Sequence, residues 1–144
     1  MLTQSASPRR AGLLPYRALV VDDERMVRSL VCRILARAGF DVLEAGNGEG
    51  ALELVRACDF ELVISDVQMP VLGGLELAQR LKRERPELPV ILVSGNFELS
   101  DGQTPADYGA FAVLRKPFSI TELQRTALRA VDDECRSSRR SLAR

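Results

Sequence analysis

Five short apolar runs recur along the chain: ALVV (18–21), FDVLEA (40–45), ELVIS (61–65), PVILVS (89–94) and FAVLR (111–115). Longer stretches of helical periodicity separate them. Strands this apolar cannot face water, so each needs a helical layer on both sides. Strict alternation of such strands with amphipathic helices demands an α/β fold built on a parallel sheet. Right-handed crossovers make that sheet doubly wound, with helices on both faces. If the strand order is 2-1-3-4-5, the first and third strands are neighbours, and ligands in such sheets bind beyond the carboxyl ends of the strands, where the winding reverses.

The helical stretches carry their own punctuation. Residues 25–38, RMVRSLVCRILARA, are expected to turn Met26, Val27, Leu30, Ile34 and Leu35 to one face, with Gly39 as the stop. Residues 47–58 open on Asn47 as N-cap. Gly73-Gly74 precede LELAQRLKRE, which ends before Pro86, and 119–131 begin with a Ser119…Glu122 capping box. Residues 95–110 are the weak stretch. Alternation asks for a fourth helix, but Gly102 and Pro105 oppose a long one, so a short or distorted helix is expected around 98–110.

A chain of 144 residues suits one domain with a real core. That domain is expected over 16–132. Residues 1–15, rich in Ser, Pro and Arg, read as a disordered arm, and 133–144 as a polar, basic tail that frays.

Composition removes several functions. There is no histidine, which eliminates Ser-His triads, histidine bases and histidine metal sites. Cys32, Cys58 and Cys135 form no CxxC pair and fit a reducing compartment; the first two read as small buried apolar residues. Formal net charge is zero, so no overall field recruits nucleic acid or membrane. No apolar run approaches the roughly 18 residues of a membrane span. The N-terminus lacks a signal peptide's apolar core, and a cytoplasmic location is expected.

The strand ends carry the chemistry. The first run ends in Asp22-Asp23-Glu24, the third in Asp66, the fourth in Ser94 and the fifth in Lys116-Pro117. Alone, Asp22 and Asp23 could cap the next helix, Asp66 could be a loop carboxylate, and Ser94 and Lys116 could be ordinary surface residues. In the order 2-1-3-4-5 they converge on one rim. Crowded carboxylates repel, and a hard divalent cation relieves them. Ligands that are all oxygen point to Mg²⁺, and Mn²⁺ would also fit. With Lys116 and Ser94 beside it, such a site suits a phosphoryl group attached to an aspartate.

Four segments in this order, VVDDE (20–24), SDVQMP (65–70), PVILVSG (89–95) and LRKPF (114–118), resemble the receiver domain of two-component response regulators over about residues 16–132. The resemblance implies a flavodoxin-like fold and a phosphorelay role. Asp66 would accept a phosphoryl group from a phosphohistidine on a sensor histidine kinase or a histidine phosphotransfer protein. Asp23, Asp66 and the backbone carbonyl of Gln68 would ligate Mg²⁺ directly, and Asp22 through water. Lys116 would contact the phosphoryl group, and Ser94 would move toward it. Output is expected through protein contact on the face made by the fourth helix, fifth strand and fifth helix, and a homodimer is compatible with that. The chain would be a signalling switch rather than a turnover enzyme.

Three positions depart from the family pattern. Val113 stands where the family carries Tyr or Phe, so the usual aromatic flip is not expected, and the signal should run through rearrangement of 95–110. Gly102 and Pro105 interrupt the fourth helix, and Gly73 replaces a common Asp. Gln68 and Asn96 occupy positions that tune phosphoryl lifetime in the family; neutral amides there predict a lifetime of minutes or longer. Three other readings compete. The chain could be the C-terminal receiver of a hybrid sensor kinase. A haloacid-dehalogenase-type phosphatase would need an acid at position 68. Nucleic-acid binding by Arg136, Arg139, Arg140 and Arg144 would lack stacking aromatics.

Overall fold

The computed structural model describes the backbone of residues 15–142 and the side chains of 15–132. Five strands, β1 (Arg17–Val21), β2 (Asp41–Ala45), β3 (Leu62–Asp66), β4 (Val90–Ser94) and β5 (Ala112–Arg115), form one sheet in the order β2-β1-β3-β4-β5. All four pairings are parallel. Four helices connect and flank them: α1 (Arg25–Arg37), α2 (Gly48–Ala57), α3 (Gly74–Glu84) and α4 (Ile120–Leu142). The expected fold class, strand order and winding are all observed.

Side-chain alternation divides the core in two. Leu19, Val21, Val63, Val90 and Leu92 point to one face and pack with Leu52 and Val55 of α2 and Leu77 and Leu81 of α3. Ala18, Val20, Ile64, Ile91, Val93 and Leu114 point to the other and meet Val31, Ile34 and Leu35 of α1 and Leu123 and Ala127 of α4. Strands β3 and β4 are buried at every position, which accounts for the apolar runs that precede their polar ends. Each fully buried Leu, Ile or Val contributes about 1.5–3 kcal/mol.

The α1 face differs from the expected one. Met26 is 86% exposed and Leu30 46% exposed, while Val31, Ile34 and Leu35 are buried and Val27 packs beside them. Positions 27, 31, 34 and 35 form the true i, i+4, i+7, i+8 stripe. Met26 and Leu30 each precede it by one residue, about 100° around the helix. Cys32 and Cys58 are half-buried rather than buried, and burial pushes the Cys32 thiol up to about 11. Cys135 lies outside the described side chains.

Helix boundaries follow the punctuation. Asn47 Oδ1 accepts a hydrogen bond from the Gly50 N–H at 2.7 Å, and Ser119 Oγ accepts from the Glu122 N–H at 2.9 Å. The α4 backbone continues to Leu142, beyond the expected fraying point, through a stretch with neither Gly nor Pro. The expected disordered arm, 1–15, lies outside the described residues except for Pro15.

Between β4 and β5 the fourth helix is reduced to one 3₁₀ turn, Pro105–Tyr108. Thr104 and Asp107 form a reciprocal capping box around it, and Pro105 sits at its start. Gly109 then takes φ +75°, a left-handed conformation that closes the turn. Residues 98–104, expected to be partly helical, are not.

Candidate functional site

The carboxyl ends of β1 and β3 lie side by side, with Val21 paired to Ser65. Asp22 follows β1 directly, and its N–H donates to the Ala45 carbonyl at 3.2 Å. Arg28 Nη1 donates to the Asp22 carbonyl at 2.7 Å, and Asp22 Oδ1 accepts from the Glu24 N–H at 2.9 Å. These bonds fix the turn out of the strand. Asp22 does not cap α1: the N-cap is Glu24, without a side-chain bond.

Asp66 is the last residue of β3, and the next N–H, of Val67, donates to the Val93 carbonyl at 2.9 Å. Asp22 and Asp66 are buried and Asp23 is exposed, and carboxylate oxygens of all three lie within 4.8 Å of one another. Lys116 Nζ stands 3.5 Å from Asp66 Oδ1, a distance of ion pairing rather than of a strong hydrogen bond. The Lys116 N–H donates to the Ser94 carbonyl at 2.9 Å, and the Lys116–Pro117 peptide is cis.

Burial sets the electrostatics. It pushes the Asp66 carboxyl above the usual carboxylate range; the Lys116 ammonium pulls the other way, and Asp23 adds repulsion. Asp22 is raised chiefly by burial as well, opposed by the Glu24 amide and reinforced by Asp66 and Asp23. One ammonium does not neutralise three carboxylates. Such a set is chemically suited to a hard cation with oxygen ligands.

Ser94 ends β4, one residue beyond the partner of Asp66, and is buried. Its Oγ accepts from the N–H groups of Asn96 at 3.1 Å and Phe97 at 2.9 Å. Gln68 lies exposed in the β3–α3 loop, where its Oε1 faces Asn96 Nδ2 at 3.4 Å. A cleft of about 290 Å³ opens beside Asp23, lined by Asn47, Glu49, Pro70 and Val71 among others.

Two features of this loop escaped the sequence. Gly74 packs directly on the Asp66 carbonyl, a close approach that the Gly-Gly pair signalled only as a helix start. Val71 has φ +67° and is 92% exposed. A β-branched residue in the left-handed region is strained, and nothing in the amino-acid type announces it. Val71→Asn is expected to raise stability by about 1 kcal/mol, because Asn tolerates this conformation and no burial is lost. An unchanged urea midpoint would contradict that.

A family model, the response regulator receiver domain, matches residues 18–128. The chain is 38% identical over 114 residues to the DNA-binding transcriptional regulator NtrC of Azospirillum brasilense, a match covering 79% of this chain and 24% of that protein. It is 37% identical over 110 residues to the response regulator MprA of Mycolicibacterium vanbaalenii, covering 76% of this chain and 48% of that protein. It therefore spans at most about half the length of either relative. The crystal structure of the receiver domain of NtrX from Brucella abortus superposes with a TM-score of 0.74 at 33% identity, covering 80% of this chain and 98% of that one. The response regulator protein TrrA of Thermotoga maritima, in complex with Mg²⁺-BeF, superposes with a TM-score of 0.73 at 30% identity, covering 80% and 98%. With its sheet order, its rim of strand-end residues and these matches, the chain belongs to the response regulator receiver domains of two-component systems.

Proposed function

We propose that this receiver is a phosphorylation-operated switch in which Asp66 is the phosphoacceptor. The observation that carries the reading is the meeting of Asp22, Asp23 and Asp66 within 4.8 Å, with Lys116 Nζ 3.5 Å from Asp66 Oδ1. Asp66 would attack the phosphorus of a partner's phosphohistidine; the P–N bond breaks and the imidazole leaves. Lys116 would meet the charge developing on the phosphoryl oxygens. Asp22, Asp23, Asp66 and the Gln68 carbonyl would hold Mg²⁺, which supplies charge neutralisation at the same oxygens. The Mg²⁺-BeF complex of TrrA supports this choice of ion.

Response regulators receive phosphoryl groups from histidine kinases. The donor for this chain would accordingly be a sensor histidine kinase or a histidine phosphotransfer protein, and the setting cytoplasmic. No described helix is long and apolar enough to cross a membrane. Output would pass to a protein target on the face formed by the 3₁₀ segment, β5 and α4. Gln68 cannot serve as the second acid of a dehalogenase-type phosphatase, which disfavours turnover of phosphate esters.

The test is incubation with a small acyl-phosphate donor and Mg²⁺, read by intact mass. Wild type should gain one phosphoryl group and Asp66→Asn none; equal labelling of the two would refute the assignment. The Gln68 and Asn96 amides face each other beside the site and are too weakly basic to activate water. The label should therefore persist for minutes or longer after donor removal, and loss within seconds would contradict this.

A further inference from the structure

Val113 of β5, the position where the family resemblance leads one to expect an aromatic side chain, faces the layer of α2 and α3. Its two methyls offer no ring and no polar tip. Three aromatic rings pack against the same layer, Phe60, Phe97 and Tyr108, and the last two come from the segment between β4 and β5. Phe97 and Tyr108 form an edge-to-face pair with centroids 5.1 Å apart and planes at 89°.

This pair is tied at both ends. Toward the site, the Phe97 N–H donates to Ser94 Oγ at 2.9 Å. Toward solvent, the Tyr108 hydroxyl donates to Gln103 Oε1 at 2.6 Å, which also accepts from the Ser100 N–H at 3.0 Å. Gln103 and Ser100 are exposed. The segment is otherwise held by short-range bonds, chiefly the Thr104–Asp107 box, by the long, exposed Asn96–Gln68 contact, and by an exposed ion pair between Glu98 and Arg115. Exposed pairs of that kind hold weakly, so the segment belongs to the easily rearranged part of the fold.

The Ser94 hydroxyl has two lone pairs and one proton. Both amide bonds draw on its lone pairs; its proton is the function suited to an incoming phosphoryl oxygen. Turning that proton toward Asp66 redirects the lone pairs away from the loop amides.

We propose that the Phe97–Tyr108 ring pair carries the state of Ser94 to the protein surface, in place of an aromatic side chain on β5. This rests on Asp66 being the phosphoacceptor. An aromatic readout is thus retained but moved from β5 to the loop, where the Val113 departure had suggested its loss. When Ser94 turns to the phosphoryl group, the Asn96 and Phe97 amides are released. Phe97 then withdraws from Tyr108, and the Tyr108–Gln103–Ser100 surface rearranges.

The chain has two tyrosines and no tryptophan, so in Tyr16→Phe the emission comes from Tyr108 alone. Acyl-phosphate and Mg²⁺ are added, and labelling by intact mass and acrylamide quenching are read on the same samples. Quenching of Tyr108 should rise in proportion to the fraction labelled. Adding Phe97→Leu should leave labelling intact and abolish that dependence. In the unsubstituted chain, hydrogen exchange at the Asn96 and Phe97 amides should accelerate on labelling. Labelled protein with unchanged quenching and unchanged exchange would overturn the inference while sparing the Asp66 assignment. A label-dependent change that survives Phe97→Leu would overturn it too. Absence of label would overturn both.

Discussion

Gly74→Ala is expected to lose about 3 kcal/mol of stability, at the upper end of overpacking effects. A Cβ at this position would sit inside the van der Waals shell of the Asp66 carbonyl oxygen. It would also lie 2.9 Å from the Asp66 carbonyl carbon and the Val67 Cα. All three obstacles are backbone, so no rotamer change relieves the clash. The backbone must move instead, at the residue that forms the centre of the acidic cluster. Two readouts should therefore fall together: Tm by roughly 10 °C for a domain of this size, and phosphoryl uptake from an acyl-phosphate. Gly46→Ala is the control. Its Cβ would meet only the Arg28 guanidinium, at 3.5 Å, and both readouts should stay near wild type. A Gly74→Ala protein with the wild-type urea midpoint would show that the chain absorbs the methyl without moving Asp66.

Magnesium should raise the Tm of the wild type, by about 2.7 kcal/mol of stability at a hundredfold excess over Kd. At about 3 °C per kcal/mol this is roughly 8 °C. Asp66→Asn should remove most of the gain. The pH dependence has a definite sign. Burial holds the Asp22 and Asp66 carboxyls above their ordinary range, so the folded state binds these protons more tightly than the unfolded chain does. Their contribution is complete below the unfolded pKa, near 4 for Asp, and is lost as pH rises through the raised folded values. Metal-free protein should lose stability over that interval. With Mg²⁺ the loss should shrink, because the cation replaces the protons as counter-charge. Thermal scans against pH, with Mg²⁺ and with chelator, separate the two cases. A Tm indifferent to Mg²⁺ at neutral pH would rule out cation binding by the carboxylates.

The sheet was readable in advance because β3 and β4 are apolar at nearly every position and end in polar residues. Strands buried on both faces leave no other pattern, and their order placed Asp22, Asp23 and Asp66 together before any coordinate did. Helix α1 was harder. Its apolar residues outnumber the positions its buried stripe can use, so composition could not tell Leu30, which is half exposed, from Val31, which is buried. The 3₁₀ turn was half visible: Gly102 and Pro105 together opposed a long helix, but neither placed its start. The Thr104–Asp107 box that shortens the segment to one turn emerged only with the fold. Val71 and Gly74 depend on where a backbone passes, and no local pattern encodes that. The Ser94–Phe97–Tyr108 connection joins a strand end to a loop and then to a 3₁₀ turn, and it required the packed structure.

The strand registers have a consequence for how receivers of this kind can diverge. Val21 lies opposite Ser65, Asp66 opposite Val93, and Ser94 opposite Arg115. The reactive rim is thus level from Asp22 to Asp66 and then runs diagonally, one residue further at Ser94 and one more at Lys116. A slip of one residue in any strand would turn its terminal side chain to the opposite layer and dismantle the whole diagonal. Inheritance must therefore hold the ladder fixed and record differences of tempo and audience in changes that leave the register intact.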